Sequence, residues 1–459
     1  MSFPYPFFQI QCKVDGTLFL QSEVDALMAG IAASSHAPTD LFVLSHGWNN
    51  DLTYATELYT SLIAVIKPQL DANPVLARRS YAICGIFWPS IQFDDKDLIP
   101  GGAAALNDAV TIDHLKARVR DLGNLTAATE WAGGSTTPPA GFAELESLMD
   151  AIEDNPAAQL RAVDLLRSML PAGNATSDDG SDHFLTIKNT TLVTRLSKPL
   201  NPPVAVPGGS GAASIDPFST ETLSGLGGAA GFRDVLGGIR SGFLNALNYS
   251  TYYLMKGRAG DVGVKSLVPL LIRLRTSRPD LRIHMIGHSF GCRLVSSGVN
   301  CLPDGEQFRP DTVMLLQGAF SHNGFAKEGD NADRGVFRDV IEKRKVRGPI
   351  LISHTRRDKA VGIAYPIASR LSGVNAAALG DANDIYGGLG SNGTQTKITT
   401  PEGNAGTMLK VGETYSFAAG VAPSTPCNLN ADAFISGHSD ICKPEVGYAL
   451  SVGMTAKMS

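Results

Sequence analysis

The sequence predicts an α/β fold: a doubly wound, mostly parallel sheet with a large inserted cap or lid subdomain. Three observations carry that prediction. Short apolar runs without polar alternation recur along the chain, as strands covered on both faces require. Stripes of apolar residues at helical spacing lie between them, the order of βαβ units. Between residues 92 and 240 the alternation stops, over a stretch too long for an ordinary connection.

The first strand-like run is Leu41-Phe42-Val43-Leu44. From Thr53 to Leu70, Leu58, Leu62, Val65 and Ile66 recur at helical spacing, with Pro68 near the end. Tyr81–Phe87 is the next strand-like run. The block from 92 to 240 follows, marked by Pro100-Gly101-Gly102, Trp131-Ala132-Gly133-Gly134, Asn201-Pro202-Pro203 and Gly225-Leu226-Gly227-Gly228. One helical piece is embedded in it, Phe142 to Met169, with Leu145, Leu148, Ile152, Leu160 and Leu165 as its buried side. Ile239 to Met255 puts Ile239, Phe243, Leu247 and Leu254 on one helical face, interrupted by Ser250. That segment reads either as a cap helix packed on the core or as a lid edge that meets lipid or a long acyl chain. Leu267, Leu270, Leu271 and Leu274 form another stripe, ended by Arg278-Pro279-Asp280. The strand-like runs Leu281–Ile286, Thr312–Leu316 and Pro349–Ser353 come next, and 370–425 reads as mostly loop. The catalytic core is accordingly assigned to 1–91 and 241–459, and the insertion to 92–240.

Composition narrows the function. With 459 residues, 43% apolar and 18% charged, the chain is neither disordered nor a coiled coil. A net charge of −5 without a long basic run leaves no electrostatic footprint for nucleic acid. No apolar stretch reaches the roughly 18 residues of a membrane span. The start MSFPYPFFQIQCKVDG lacks a basic segment and a small-residue cleavage site, so a cytoplasmic location is expected. The six cysteines form no CxxC pair and no zinc-spaced cluster; a Cys427–Cys442 bridge would imply export.

The chemistry centres on Gly287-His288-Ser289-Phe290-Gly291, which follows the run Leu281–Ile286 and precedes a helix-competent Cys292-Arg293-Leu294-Val295. That is the strand–turn–helix setting in which G-x-S-x-G has meaning. A sharp turn presents Ser289 at the carboxyl end of the sheet, beside a helix N-terminus that favours developing negative charge. The plainer alternative is a glycine-rich βα turn with an incidental serine. The earlier strand Leu41–Leu44 ends in Ser45-His46-Gly47-Trp48-Asn49-Asn50. An oxyanion needs two preorganised donors. The backbone N–H groups of Phe290 and Trp48 are assigned to it, with Asn49 as second choice for the latter. His46, Gly47, Asn49 and His288 are expected to border the substrate, His46 bracing the oxyanion loop.

Serine needs a base, and the base needs a carboxylate to hold it. Of nine histidines, His322, His354 and His438 follow Ser289, as the chain order Ser…Asp/Glu…His requires. His438 is assigned as base, because either of the others leaves little chain for the strand that carries the acid. Asp358, just past the run Pro349–Ser353, is assigned as acid, with Asp333 and Asp384 in reserve. Its plainer reading is half of an exposed ion pair with Arg357 or Lys359. The cluster Asp94-Asp95-Lys96-Asp97 reads as a solvated loop.

On these residues the chain resembles the α/β-hydrolase superfamily, in particular bacterial serine esterases and lipases with an aromatic residue after the His-Gly of the oxyanion loop. The resemblance rests on Leu44-Ser45-His46-Gly47-Trp48-Asn49, Phe87-Trp88-Pro89-Ser90, Gly287–Gly291, Asp358-Lys359-Ala360-Val361 and Gly437-His438-Ser439-Asp440; residues 92–240 have no counterpart in it. It implies an α/β-hydrolase fold, a Ser289–Asp358–His438 triad, an insertion serving as lid or cap, and tolerance of Cys292 where alanine is common. The expected activity is hydrolysis of a small-molecule or lipid-like carboxylic ester through an acyl-enzyme, with transient lipid-surface contact for the latter. No metal or organic cofactor is signalled: the chain has no P-loop and no G-x-G-x-x-G after the first strand. Amide, thioester or acyl-transfer chemistry on the same triad, and a silent binding protein on the same scaffold, are the alternatives.

Overall fold

The structure is a computed structural model that describes residues 3–32, 37–47, 52–90, 110–127, 138–197, 238–329, 333–358, 361, 385–395 and 404–457. Its framework is one eight-stranded sheet. The chain runs β1 (Phe7–Gln11), α1 (Gln21–Gly30), β2 (Asp40–Ser45), α2 (Leu52–Ala72) and β3 (Tyr81–Phe87). The insertion contributes α3 (Ile112–Ala127), α4 (Ala140–Leu148), α5 (Pro156–Ser168), α6 (Ser181–Thr186) and α7 (Asn189–Leu196). The long α8 (Ile239–Val262) passes through a π-turn, Gly263–Leu267, into α9 (Val268–Ser277). Then come β4 (Arg282–His288), α10 (Phe290–Asn300), β5 (Thr312–Leu316), α11 (Arg338–Glu342) and β6 (Ile350–His354). The chain ends with α12 (Leu389–Asn392), β7 (Asn404–Thr407), β8 (Pro426–Asn430) and α13 (Pro444–Thr455).

Strand order is β1-β3-β2-β4-β5-β6-β8-β7, and every pairing between these strands is parallel. Alternate residues of a strand serve opposite faces. In β2, Leu41 and Val43 join the core under α8 to α10, whereas Phe42 and Leu44 join the core under α2 and α13. The winding reverses between β2 and β4, so the loops leaving these strands open side by side at the carboxyl edge. Such a switch point is where open α/β sheets place their ligands.

Two expectations change. The single helical piece from Phe142 to Met169 is broken into α4, a short 3-10 turn at Met149–Ala151, and α5. Asn155 caps α5, its side chain accepting from the N–H groups of Ala157 and Ala158, and Pro156 takes the first helical position. The helix predicted from Ile239 to Met255 runs on to Val262 and is buried on every side from Gly242 to Tyr253. Phe243, Asn245, Leu247, Tyr249, Ser250 and Thr251 are all buried, although they point around the whole helix. One side packs on α10 and the other on the insertion, which leaves no apolar edge of this helix for lipid.

The packing of α8 on α10 positions the insertion. The Tyr252 and Phe290 rings lie 5.4 Å apart, and the Lys256 carbonyl accepts from Arg293 Nε at 3.1 Å. Further along, a Cβ on Gly263 would fall 2.4 Å from the Leu294 carbonyl. The two helices therefore descend together, and the stretch Ile239–Thr251 extends about 20 Å beyond the start of α10, past the carboxyl edge of the sheet. The insertion wraps this projecting half. Arg118 of α3 donates to Asn248 Oδ1 at 2.8 Å, and Ser197 after α7 lies against Gly242. Its residues Leu115, Phe142, Leu145, Phe184 and Leu192 belong to the same apolar cluster as Val43 and Met285 of the sheet.

Candidate active site

Ser289 stands between β4 and α10 with φ 56° and ψ −122°, a conformation that L-residues rarely adopt. The turn is pinned on both sides: Ser289 N–H donates to the Leu316 carbonyl at 3.0 Å, and its carbonyl accepts from Ala319 N–H at 3.1 Å. Two glycines make room for it. A Cβ on Gly287 would meet the Gly291 carbonyl at 2.5 Å, and one on Gly291 would meet the Ser45 carbonyl at 2.2 Å. Cys292 is buried with its Sγ donating to the Gly287 carbonyl at 3.1 Å, and burial pushes its thiol well above the usual range.

The three side chains assigned from sequence come together at this edge. Ser289 Oγ donates to His438 Nε2 at 2.8 Å, and His438 Nδ1–H donates to Asp358 Oδ2 at 2.8 Å. Asp358 is 2% exposed, and its Oδ1 accepts from Val361 N–H at 3.1 Å. Two carboxylates of the loop after β8 tie that loop and the one that carries Asp358. Asp440 accepts from Ser436 N–H and Oγ and pairs with Lys443 at 2.6 Å, closing the loop around His438. Asp432 accepts from Thr355 Oγ1 at 2.8 Å and from Arg356 N–H at 3.0 Å, fixing the turn before Asp358.

No known protein family, curated protein or solved structure matches this chain.

Gly47 lies directly over Ser289; a Cβ there would sit 2.5 Å from Ser289 Cβ. His46 has no exposed surface, so its ring borders the loop and not a substrate. Its Nδ1–H donates to the Gly47 carbonyl at 2.8 Å, and its Nε2 accepts from Trp88 N–H at 3.2 Å. The indole of Trp88 lies parallel to the ring at 5.6 Å and donates to the His46 carbonyl at 3.0 Å. Burial holds His46 down at about 4, hence neutral at pH 7, as acceptance from an N–H requires. His288, expected at the substrate, is buried too, and its Nε2–H donates to the His438 carbonyl at 3.0 Å. Burial, followed by the neighbouring His438, lowers it to about 3. It anchors the backbone of His438.

Phe290 opens α10 directly after Ser289. Trp48 and Asn49, the other oxyanion candidates, lie outside the described residues, as do Asp384 and the Asp94–Asp97 cluster. Asp333 is exposed. His322 is buried with its Nδ1 3.2 Å from Asn392 Nδ2, and His354 closes β6 opposite Asn430. Sequence reasoning passed over Gln317, which has no exposed surface and donates from Nε2 to Asp358 Oδ2 at 3.3 Å. A lone glutamine after an apolar run carries no spacing signal. Among the described residues no group of three His, Cys, Asp or Glu is arranged to hold a metal ion, and no helix is long and apolar enough to cross a membrane. Cys427 and Cys442 are free thiols.

Proposed function

We propose that the protein is a serine hydrolase of α/β-hydrolase type that cleaves carboxylic esters of small molecules through an acyl-enzyme. The observation that carries this reading is the continuous chain Ser289 Oγ–His438–Asp358, with both links at 2.8 Å, on a strained turn at the sheet's switch point. In the proposed cycle His438 Nε2 takes the Ser289 proton as Oγ attacks the acyl carbon. Asp358 stabilises the imidazolium without taking its proton. His438 then protonates the departing alkoxide as the C–O bond breaks. A water molecule, deprotonated by His438, attacks the acyl-enzyme, and the acid leaves as Ser289 recovers its proton. The N–H of Phe290 is one oxyanion donor in this reading. The insertion, mounted on the projecting half of α8, acts as a cap beside the rim.

The test is turnover of p-nitrophenyl esters from C2 to C16. Ser289→Ala is expected to lose about 10⁶-fold in kcat, and Asp358→Asn about 10³- to 10⁴-fold. A Ser289→Ala protein that keeps the parent rate contradicts the reading, and the acyl length turned over fastest defines the substrate.

A further inference from the structure

We propose that Gln317 is a positioning residue for this chemistry: its side-chain amide clamps the oxygen of Asp358 that His438 bonds, and so sets the proton affinity of His438. The inference rests on the hydrolase reading and goes beyond it, because neither motif nor chain order points to this residue.

Gln317 follows β5 directly and has φ 48°, in the left-handed region that non-glycine residues avoid. Such a conformation costs on the order of 1–2 kcal/mol and persists where the surroundings over-determine it. Here they do. Nε2 donates to the Gly390 carbonyl at 3.0 Å and to Asp358 Oδ2 at 3.3 Å, while Oε1 accepts from Ser353 Oγ at 2.8 Å. The backbone N–H of Gln317 donates back to Ser353 Oγ at 3.3 Å. A carbonyl and a carboxylate accept only, so the NH₂ end must face them, and the amide has one orientation. Gly390 keeps the clamp tight: a Cβ there would lie 2.8 Å from Asp358 Oδ2.

Asp358 Oδ2 thus receives two donors, His438 Nδ1–H and Gln317 Nε2–H. A second donor draws charge from the oxygen that faces the imidazole, which weakens its hold on imidazolium. Without that donor the carboxylate attracts the ring's positive charge more strongly, and the affinity of His438 for a proton rises. The carboxyl is then held by Val361 N–H on Oδ1, and the ring it orients aims less well at Ser289 Oγ, which lowers kcat.

The other ionisable groups near the pair do not confuse this readout. His288 at the end of β4, 5.0 Å ring to ring from His438, and His46 after β2 are held neutral by burial. The Cys292 thiol of α10 stays protonated for the same reason. On the flanking loops Asp432 is paired with Arg356, and Asp440 with Lys443.

The experiment compares wild type with Gln317→Met, which keeps the length but has no amide, and with Ser353→Ala, which frees Oε1. Two measurements are made on the full chain: the pH profile of kcat/KM on p-nitrophenyl acetate, and the pH titration of the His438 ring by ¹⁵N-histidine NMR, assigned with His438→Gln. Gln317→Met is expected to lower kcat about tenfold with little change in KM. Its acidic limb and its ring titration should both move up by about half a pH unit. Ser353→Ala should move both in the same direction by less. Where Gln317→Met does not fold, Ser353→Ala decides. Folded variants whose limb and titration coincide with wild type overturn the proposal. The NMR titration does not depend on turnover, so a wild type that cleaves no ester refutes the hydrolase reading while the clamp is still tested.

Discussion

At residue 291 the missing side chain lets two loops share one edge. A Cβ there would lie 2.2 Å from the Ser45 carbonyl and 2.6 Å from that of His46, both backbone atoms that cannot swing away. Gly291→Ala must therefore push the nucleophile turn off the loop after β2. The expected cost is about 1–3 kcal/mol in urea unfolding. A displacement near 1 Å also costs about 10²-fold in rate, so ester turnover should fall to that extent. Parent-like stability together with parent-like turnover would refute this close approach. Residues of this kind were legible: the glycines around Ser289 sit in a short motif whose spacing follows from sterics, and His438 and Asp358 were assigned from chain order and from their places after strand-like runs. Gln317 and the backbone anchor His288 were not legible in those roles. Their partners, Asp358 and His438, come from strands and loops far along the chain, and nothing local encodes the meeting.

Among the elements, α8 shows how far a pattern can mislead. Its apolar positions suggested one buried face, but the helix is enclosed by α10 and the insertion, and its polar residues find partners inside. Lys256 is the clearest case. Its ammonium has no exposed surface, lies 2.5 Å from Asp179 Oδ2, and bonds Thr176 Oγ1 at 2.5 Å and Ser181 Oγ at 3.1 Å. Burial lowers its pKa, and the neighbouring Asp179 opposes that shift. Tyr249 and Tyr252 of the same helix donate to Asp179, and Tyr252 packs on Phe290, so this ion pair ties the segment from 172 to 186 to the nucleophile turn. Lys256→Met would strand Asp179 as an uncompensated buried carboxylate. The expected loss is about 3–5 kcal/mol in urea unfolding, with new proteolytic cuts between 172 and 186. Adding Asp179→Asn should recover part of the stability. A Lys256→Met protein as stable and as protease-resistant as the parent would show that the pair does not hold the insertion.

Across the whole molecule, legibility follows burial. The strands at the centre of the sheet are covered on both faces, so β2 to β6 appear in the sequence as short apolar runs, broken in β4 by Arg282 and His284. The margins do not. β1 reads Phe-Phe-Gln-Ile-Gln and is half-buried, and β7 reads Asn-Ala-Gly-Thr, because an edge strand needs little apolar surface. β7 therefore falls inside the stretch 370–425 expected to be mostly loop, and the Pro426–Asn430 strand begins directly after it. The insertion was legible as an interruption but not as a shape, because its helices complete the sheet's own apolar cluster and form no separate core. All of this architecture serves one arrangement at the carboxyl edge, in which loops after β4, β6 and β8 bring Ser289, Asp358 and His438 together. The most direct test is the intact mass of the protein after exposure to a fluorophosphonate, followed by peptide mapping. A single phosphonyl adduct on Ser289 is expected, lost in Ser289→Ala and formed far more slowly in His438→Gln. An unmodified wild-type protein, or an adduct on any other residue, would contradict it.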